Sequence, residues 1–170
     1  IEGIYNILIA SYQLIKQKLE INLFPIGQMM KEAKSLLNSN YLNSTPIEVT
    51  RKNVKWYIDT TYDKLKTVEE TINELKKMNE KSISDRVLYT LVLRIRTLYI
   101  IEKLIKHKDY SKLEFVKLIK KISGWDNAYT SYINIKNNAH EQNLTKIDEA
   151  ERLYHYLAAY LKKVEAMLKK

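Results

Sequence analysis

VLYTLVLRIRTLYIIEKLI, residues 87–105, is apolar on nearly every side when wound as an α-helix. Val87, Leu88, Leu91, Val92, Ile95, Leu98, Tyr99, Ile101, Leu104 and Ile105 spread over most of its circumference. A helix of that kind belongs at the centre of a bundle, where neighbours cover every face. Arg94, Arg96 and Glu102 break the run short of the roughly 20 apolar residues that cross a bilayer, so no membrane partner is expected. Ser82 or Ser84 is placed to cap it.

The flanking sequence supplies the neighbours. Upstream, Val54, Ile58, Thr61, Leu65, Val68, Ile72 and Leu75 recur at steps of three and four, a seam that faces another helix. Thr45, Pro46 and Glu48 read as its start: a hydroxyl cap, proline at the first helical position and a carboxylate three residues after the cap. A helix from there to about Met78 spans roughly 50 Å. Downstream, Ser111 with Glu114 opens a shorter helix through Phe115, Leu118, Ile119 and Ile122 that stops at Gly124. Asp126 caps the next, with Tyr129, Tyr132 and Ile133. Thr145 with Asp148 starts the last, whose stripe is Ile147, Ala150, Leu153, Tyr154, Leu157, Leu161, Val164 and Leu168. Short connections between such helices predict an all-α, up-and-down bundle of four or more helices over residues 45–170.

Residues 1–44 read as an N-terminal extension, the possible remnant of a preceding domain. Ile4 to Ser11 is apolar and β-branched, and is either a buried strand or the start of a helix. Leu14, Ile15, Lys18 and Leu19 follow with helical spacing until Phe24, Pro25 and Gly27 impose a turn. Met29, Met30, Ala33, Leu36 and Leu37 predict a short amphipathic helix, and the polar cluster Asn38 to Ser44 marks the boundary.

A chain of 170 residues suits one domain, or one domain with a small appendage. Three glycines and two prolines leave too few turn signals for an all-β fold. The absence of cysteine excludes disulfides, thiolate zinc sites and a thiol nucleophile, and fits a reducing cytoplasm. The first residue is Ile1, and a longer protein is expected around it. Lys and Arg outnumber Asp and Glu by 29 to 20, which favours an anionic partner without specifying which.

Catalytic patterns are sparse. His107, His140 and His155 have no partners at ligand spacing beyond Glu151 and His155, four apart on one face, and a metal site is not expected. Gly3, Gly27 and Gly124 lie too far apart to cradle a phosphate together, and no cofactor is expected. Lys136 and His140 approximate the basic residue and histidine of a HEPN-type ribonuclease, with lysine where a guanidinium is required. Asp59 and Asp63 read as surface acids paired with nearby lysines, or as the carboxylates that a buried Arg94 or Arg96 requires. Without such a carboxylate, either arginine is free to grip an anion. Lys103, Lys106, Lys108, Lys112, Lys117, Lys120 and Lys121, with Tyr110 and Trp125 nearby, form a candidate nucleic-acid surface: cations for phosphates and rings for bases. The alternative is a solubilising helix face. Thirteen tyrosines, several on the last two helices, suit the edge of a core.

The order of the segments ILIAS, PIGQMMKEAKSLL, LRIRTLYIIEKLIKHKDYSKLEFVKLI and YTSYINIKNN resembles the tail of archaeal minimal nucleotidyltransferases of the polymerase β type, in which a small catalytic domain precedes a helical, HEPN-like bundle. That family's catalytic signature, a Gly-Ser turn followed by paired aspartates, is missing. The resemblance implies a noncatalytic half that binds substrate or a partner subunit, with Arg94, Arg96, Tyr99 and Lys136 as the positions to watch. Three functions therefore stand as expectations: a module binding nucleic acid or nucleotide; a protein-interaction or homo-oligomer subunit docking through the Val54 to Leu75 seam or the Tyr-rich last helix; and a ribonuclease using His140.

Overall fold

A computed structural model describes residues 9–37, 39–142 and 145–169. Among them are eight helices and no strand, with one isolated bridge between Ser82 and Lys146. No described helix is long and apolar enough to cross a membrane. The chain divides into two compact units, Ile1–Val54 and Lys55–Lys170. The division lies within the fourth helix, ten residues beyond the boundary expected at 44/45.

The first unit holds α1 (Tyr12–Ile21), α2 (Ile26–Glu32), α3 (Ser39–Ser44) and the opening of α4 (Arg51–Lys77). Of the strand-or-helix question at Ile4 to Ser11, the part from Ile4 to Leu8 lies outside the described residues, and Ile9 to Ser11 form neither. Ser11 caps α1 by accepting the Leu14 N–H at 3.2 Å. A Cβ on Gly27 would meet Leu23 Cδ1 at 2.5 Å, so glycine is what lets α2 approach this fully buried leucine. Ala33 turns extended and ends α2 before its apolar stripe reaches Leu36 and Leu37, which are 96% and 89% exposed.

The expected start of α4 at Thr45 is corrected by five residues. The Thr45 hydroxyl donates back to the Tyr41 carbonyl at 2.8 Å, closing α3 instead. The reciprocal cap is built by Thr50 and Asn53: the Thr50 hydroxyl accepts the Asn53 backbone N–H at 3.2 Å, and the Asn53 side-chain Oδ1 accepts the Thr50 N–H at 2.9 Å. At 27 residues, α4 is roughly 40 Å long.

The second unit packs the rest of α4 with α5 (Asp85–Ile105), α6 (Lys112–Ser123), α7 (Asn127–Lys136) and α8 (Ile147–Met167). α5 is central: Leu88, Leu91, Val92, Ile95, Leu98 and Ile101 are fully buried. The α4 seam is buried from Val54 through Ile72, so that stretch is spent inside the fold. Tyr62 bonds Glu165, Tyr154 faces Glu69 and Lys76 bonds Glu151, so α4 runs antiparallel to α8. The Ile83 N–H donates to the Thr145 carbonyl, and Tyr160 reaches Glu102 at the far end, so α5 and α8 run parallel.

Caps set several of the ends. Ser84 and Ser111 accept the Arg86 and Glu114 N–H groups, and Gly124, at φ 88°, terminates α6 in the left-handed conformation. At α8 the cap moves to Lys146, whose N–H is accepted by Glu149. Thr145, expected in that role, is buried and its hydroxyl lies 3.2 Å from that of Ser131. Ser131 in turn donates to the fully buried Asp85 at 2.6 Å, and Asp85 accepts the Gln142 N–H at 2.8 Å. A buried carboxylate satisfied in this way fixes the segment after α7 to the N-terminal end of α5.

Candidate anion-binding surface

Two residues apart on a helix means about 200° of rotation, so Arg94 and Arg96 leave α5 on nearly opposite sides. Both are half-buried, and neither forms an ion pair among the described residues. The carboxylate partners expected at Asp59 and Asp63 are therefore corrected. Both acids sit on the exposed side of α4, and Asp59 pairs with Lys55 one turn away. What α4 turns toward Arg94 is Thr60, which accepts from Nη1 at 2.8 Å, while the guanidinium stacks 5.7 Å from the Trp56 ring centre. Burial pulls the Arg94 pKa down.

Arg96 enters an aromatic cluster. Its Nε donates to the Tyr110 hydroxyl at 3.3 Å, and its guanidinium lies 5.4 Å from that ring's centre. Tyr110 leads to Phe115 at 6.5 Å, Phe115 to Tyr129 at 6.4 Å, and Tyr129 to Tyr132 at 5.7 Å, with Tyr89 stacked on Tyr132 at 5.4 Å. Burial lowers the pKa of Arg96, but the Tyr110 hydrogen bond and the neighbouring tyrosine oxygens outweigh it and leave the group above its ordinary value. Burial also raises Tyr129 and Tyr132, so both keep their protons at neutral pH and offer Arg96 no counter-charge. A guanidinium carries five N–H donors, and the hydrogen bond to Tyr110 uses one of them.

The seven candidate lysines divide. Lys103 bonds Glu114 at 2.9 Å and lies 5.0 Å from the centre of the Tyr99 ring; Lys120 bonds Asp126 at 2.8 Å. Lys106 shares Glu102 with Lys163 and Tyr160. The Glu102 side chain is only 12% exposed, and burial alone would raise its pKa. Hydrogen bonds from Lys106, Tyr160 and Lys163 overcome that and hold it at about 2. Tyr160 is pushed up by burial and by this carboxylate. Lys108, Lys112, Lys117 and Lys121 are exposed and form no ion pair among the described residues. Lys117 and Lys121, one turn apart, lie opposite the buried Phe115 and Ile119, and Trp125 just beyond the helix is 61% exposed.

The remaining sequence candidates sit elsewhere or are occupied. The Tyr99 hydroxyl donates to Glu114 at 3.0 Å. Lys136 and His140 are exposed at and after the end of α7. Gln142 is held at Asp85, and Arg96 lies 11 residues further along α5, roughly 16 Å, so the His140 segment and the Arg96 cluster occupy different levels of the bundle. No group of three His, Cys, Asp or Glu able to hold a metal occurs among the described residues. Glu151 is 4.0 Å from His155 but is engaged by Lys76 at 2.7 Å on both oxygens. The partnership of Arg96 with Tyr110 was not visible in the sequence. The tyrosine lies 14 residues away in a loop, where no periodicity connects it to α5.

No family model, curated protein or solved structure matches the chain.

Proposed function

We propose that the chain is a noncatalytic helical module that binds single-stranded nucleic acid. Arg96 grips a phosphate, and the exposed lysines Lys108, Lys112, Lys117 and Lys121 carry the neighbouring backbone. The observation that carries this reading is Arg96 itself: a half-buried guanidinium among protonated tyrosines with no carboxylate to match it. Structural arginines in such settings are matched by an acid, whereas donors left over in a planar fork suit a phosphate. Tyr110 and Trp125 supply ring faces near the cations, which favours strands whose bases are free to stack. The resemblance to the helical tail of polymerase β-type nucleotidyltransferases is consistent with such a module serving beside a catalytic domain.

The test is fluorescence anisotropy with a labelled single-stranded oligonucleotide at 50 and 200 mM salt. Five neutralised phosphates predict a log–log salt slope near −3.5 and about a 100-fold loss of affinity across that interval. Binding that is absent at 50 mM salt, or that does not weaken with salt, removes the reading.

A further inference from the structure

A second site lies wholly within the first unit. A cleft of about 490 Å³ opens between one face of α1 and the segment from α3 to the start of α4. That volume falls in the range that encloses small organic ligands, roughly 300–1,000 Å³. Helical spacing puts Tyr12, Ile15 and Leu19 on the wall from α1, and Tyr41 and Pro46 face them from the other side. Tyr12 and Tyr41 meet edge to face at 5.9 Å, so rings and hydrocarbon form one part of a lining that also carries hydroxyl and charged side chains.

The base of the cleft is rigid. Asn53, buried to 3% exposure, donates to the Leu19 carbonyl at 2.7 Å and the Glu48 carbonyl at 2.9 Å while accepting from the Thr50 N–H. One amide thus ties both walls together, and the cleft is held open by hydrogen bonds rather than by chance packing. Against this order stands one unsatisfied group: the Tyr41 hydroxyl oxygen is buried and has no hydrogen-bond partner among the described residues. A buried hydroxyl left in that state is costly, and a ligand whose polar edge displaces the side chains covering it would satisfy it.

The charges lining the cleft choose the ligand class. Lys16 and Lys52 are balanced by Glu20 and Glu48, so the site has no net attraction for a polyanion. We infer that the cleft between α1 and the α3–α4 segment binds an uncharged heteroaromatic molecule of nucleoside size, its ring between Tyr12 and Pro46 and its polar edge on the Tyr41 hydroxyl. The site is independent of the Arg96 surface, and either can fail without the other.

The test uses the full chain, titrated with adenosine, guanosine, cytidine and uridine, with tryptophan as a zwitterionic comparator, and followed by ¹H–¹⁵N correlation spectra and thermal melts. The expected result is a saturable shift for at least one nucleoside confined to residues 12–20 and 41–53. Tyr41→Phe should weaken that binding about tenfold, one hydrogen bond's worth, while leaving the ligand-free melting temperature unchanged or higher. Lys16→Ala and Lys52→Ala should change it less than twofold. No localised shift with any of the four nucleosides at 10 mM overturns the inference. So does tryptophan binding better than every nucleoside and losing affinity in Lys16→Ala, or Tyr41→Phe binding as tightly as the parent.

Discussion

Two sets of cations lie on α5, α6, the loop between them and the facing part of α8, and the fold treats them oppositely. Lys103, Lys106 and Lys163 converge on Glu114 and Glu102, with tyrosine hydroxyls completing both carboxylates. Arg96, Lys108, Lys117 and Lys121 form no ion pair among the described residues, although the Lys108 charge reaches Glu114 and helps to lower its pKa. Density of positive charge along the chain is thus a poor guide to the charge available to a partner. A lysine whose proton is shared with a nearby carboxylate releases few counterions when a phosphate arrives, whereas an unmatched cation contributes fully.

The contrast can be broken in four places. Arg96→Ala should have the largest effect, lowering oligonucleotide affinity at 100 mM salt by about 10- to 100-fold, with Arg96→Lys recovering only part, since a lysine keeps the charge but not the fork. Anisotropy titrations with unfolding controls check this, because the variant also removes a stacked guanidinium from Tyr110.

Glu102→Gln addresses the opposite set. Its folded pKa, about 2, lies below the ordinary value of 4.5, so its contribution is present above pH 4.5 and is lost as pH falls from there through 2. Allowing for partial solvent screening, that contribution is on the order of 2 kcal/mol. Urea unfolding at pH 7 should show a loss of this size in the variant, shrinking toward zero by pH 2, with oligonucleotide affinity nearly unchanged.

Smaller effects follow from single surface lysines. Lys117→Ala with Lys121→Ala should reduce the magnitude of the salt slope by about 1.4 and weaken binding several-fold. Lys103→Ala should alter the slope by less than about 0.3, because Glu114 already holds that ammonium. A Lys103→Ala effect equal to that of Lys117→Ala would erase the distinction between the two sets.

Legibility in the sequence followed the range of the interactions. The central position of α5, the α4 seam, the Ser111 cap and the Gly124 stop all depend on residues three or four apart, and all were readable. The same local logic misplaced the start of α4. Thr45 and Thr50 both precede a plausible partner three residues on, and only the tertiary role of Asn53 decides between them. The site was legible in residue type but not in pairing. Arg94 and Arg96 stood out as charges in an apolar helix, yet Thr60, Trp56 and Tyr110 were not foreseeable as their partners. The sorting of the lysines depends on contacts such as Lys163 with Glu102, 61 residues apart, which no pattern in the chain encodes.

The most direct measurement is the Nε–Hε resonance of Arg96 in a ¹H–¹⁵N spectrum, followed while a short single-stranded oligonucleotide is added. Direct contact with a phosphate predicts that this resonance shifts and saturates with the bound fraction while that of Arg94 stays in place. A saturated complex in which the Arg96 signal does not move would contradict the assignment of this guanidinium as the anion-gripping group.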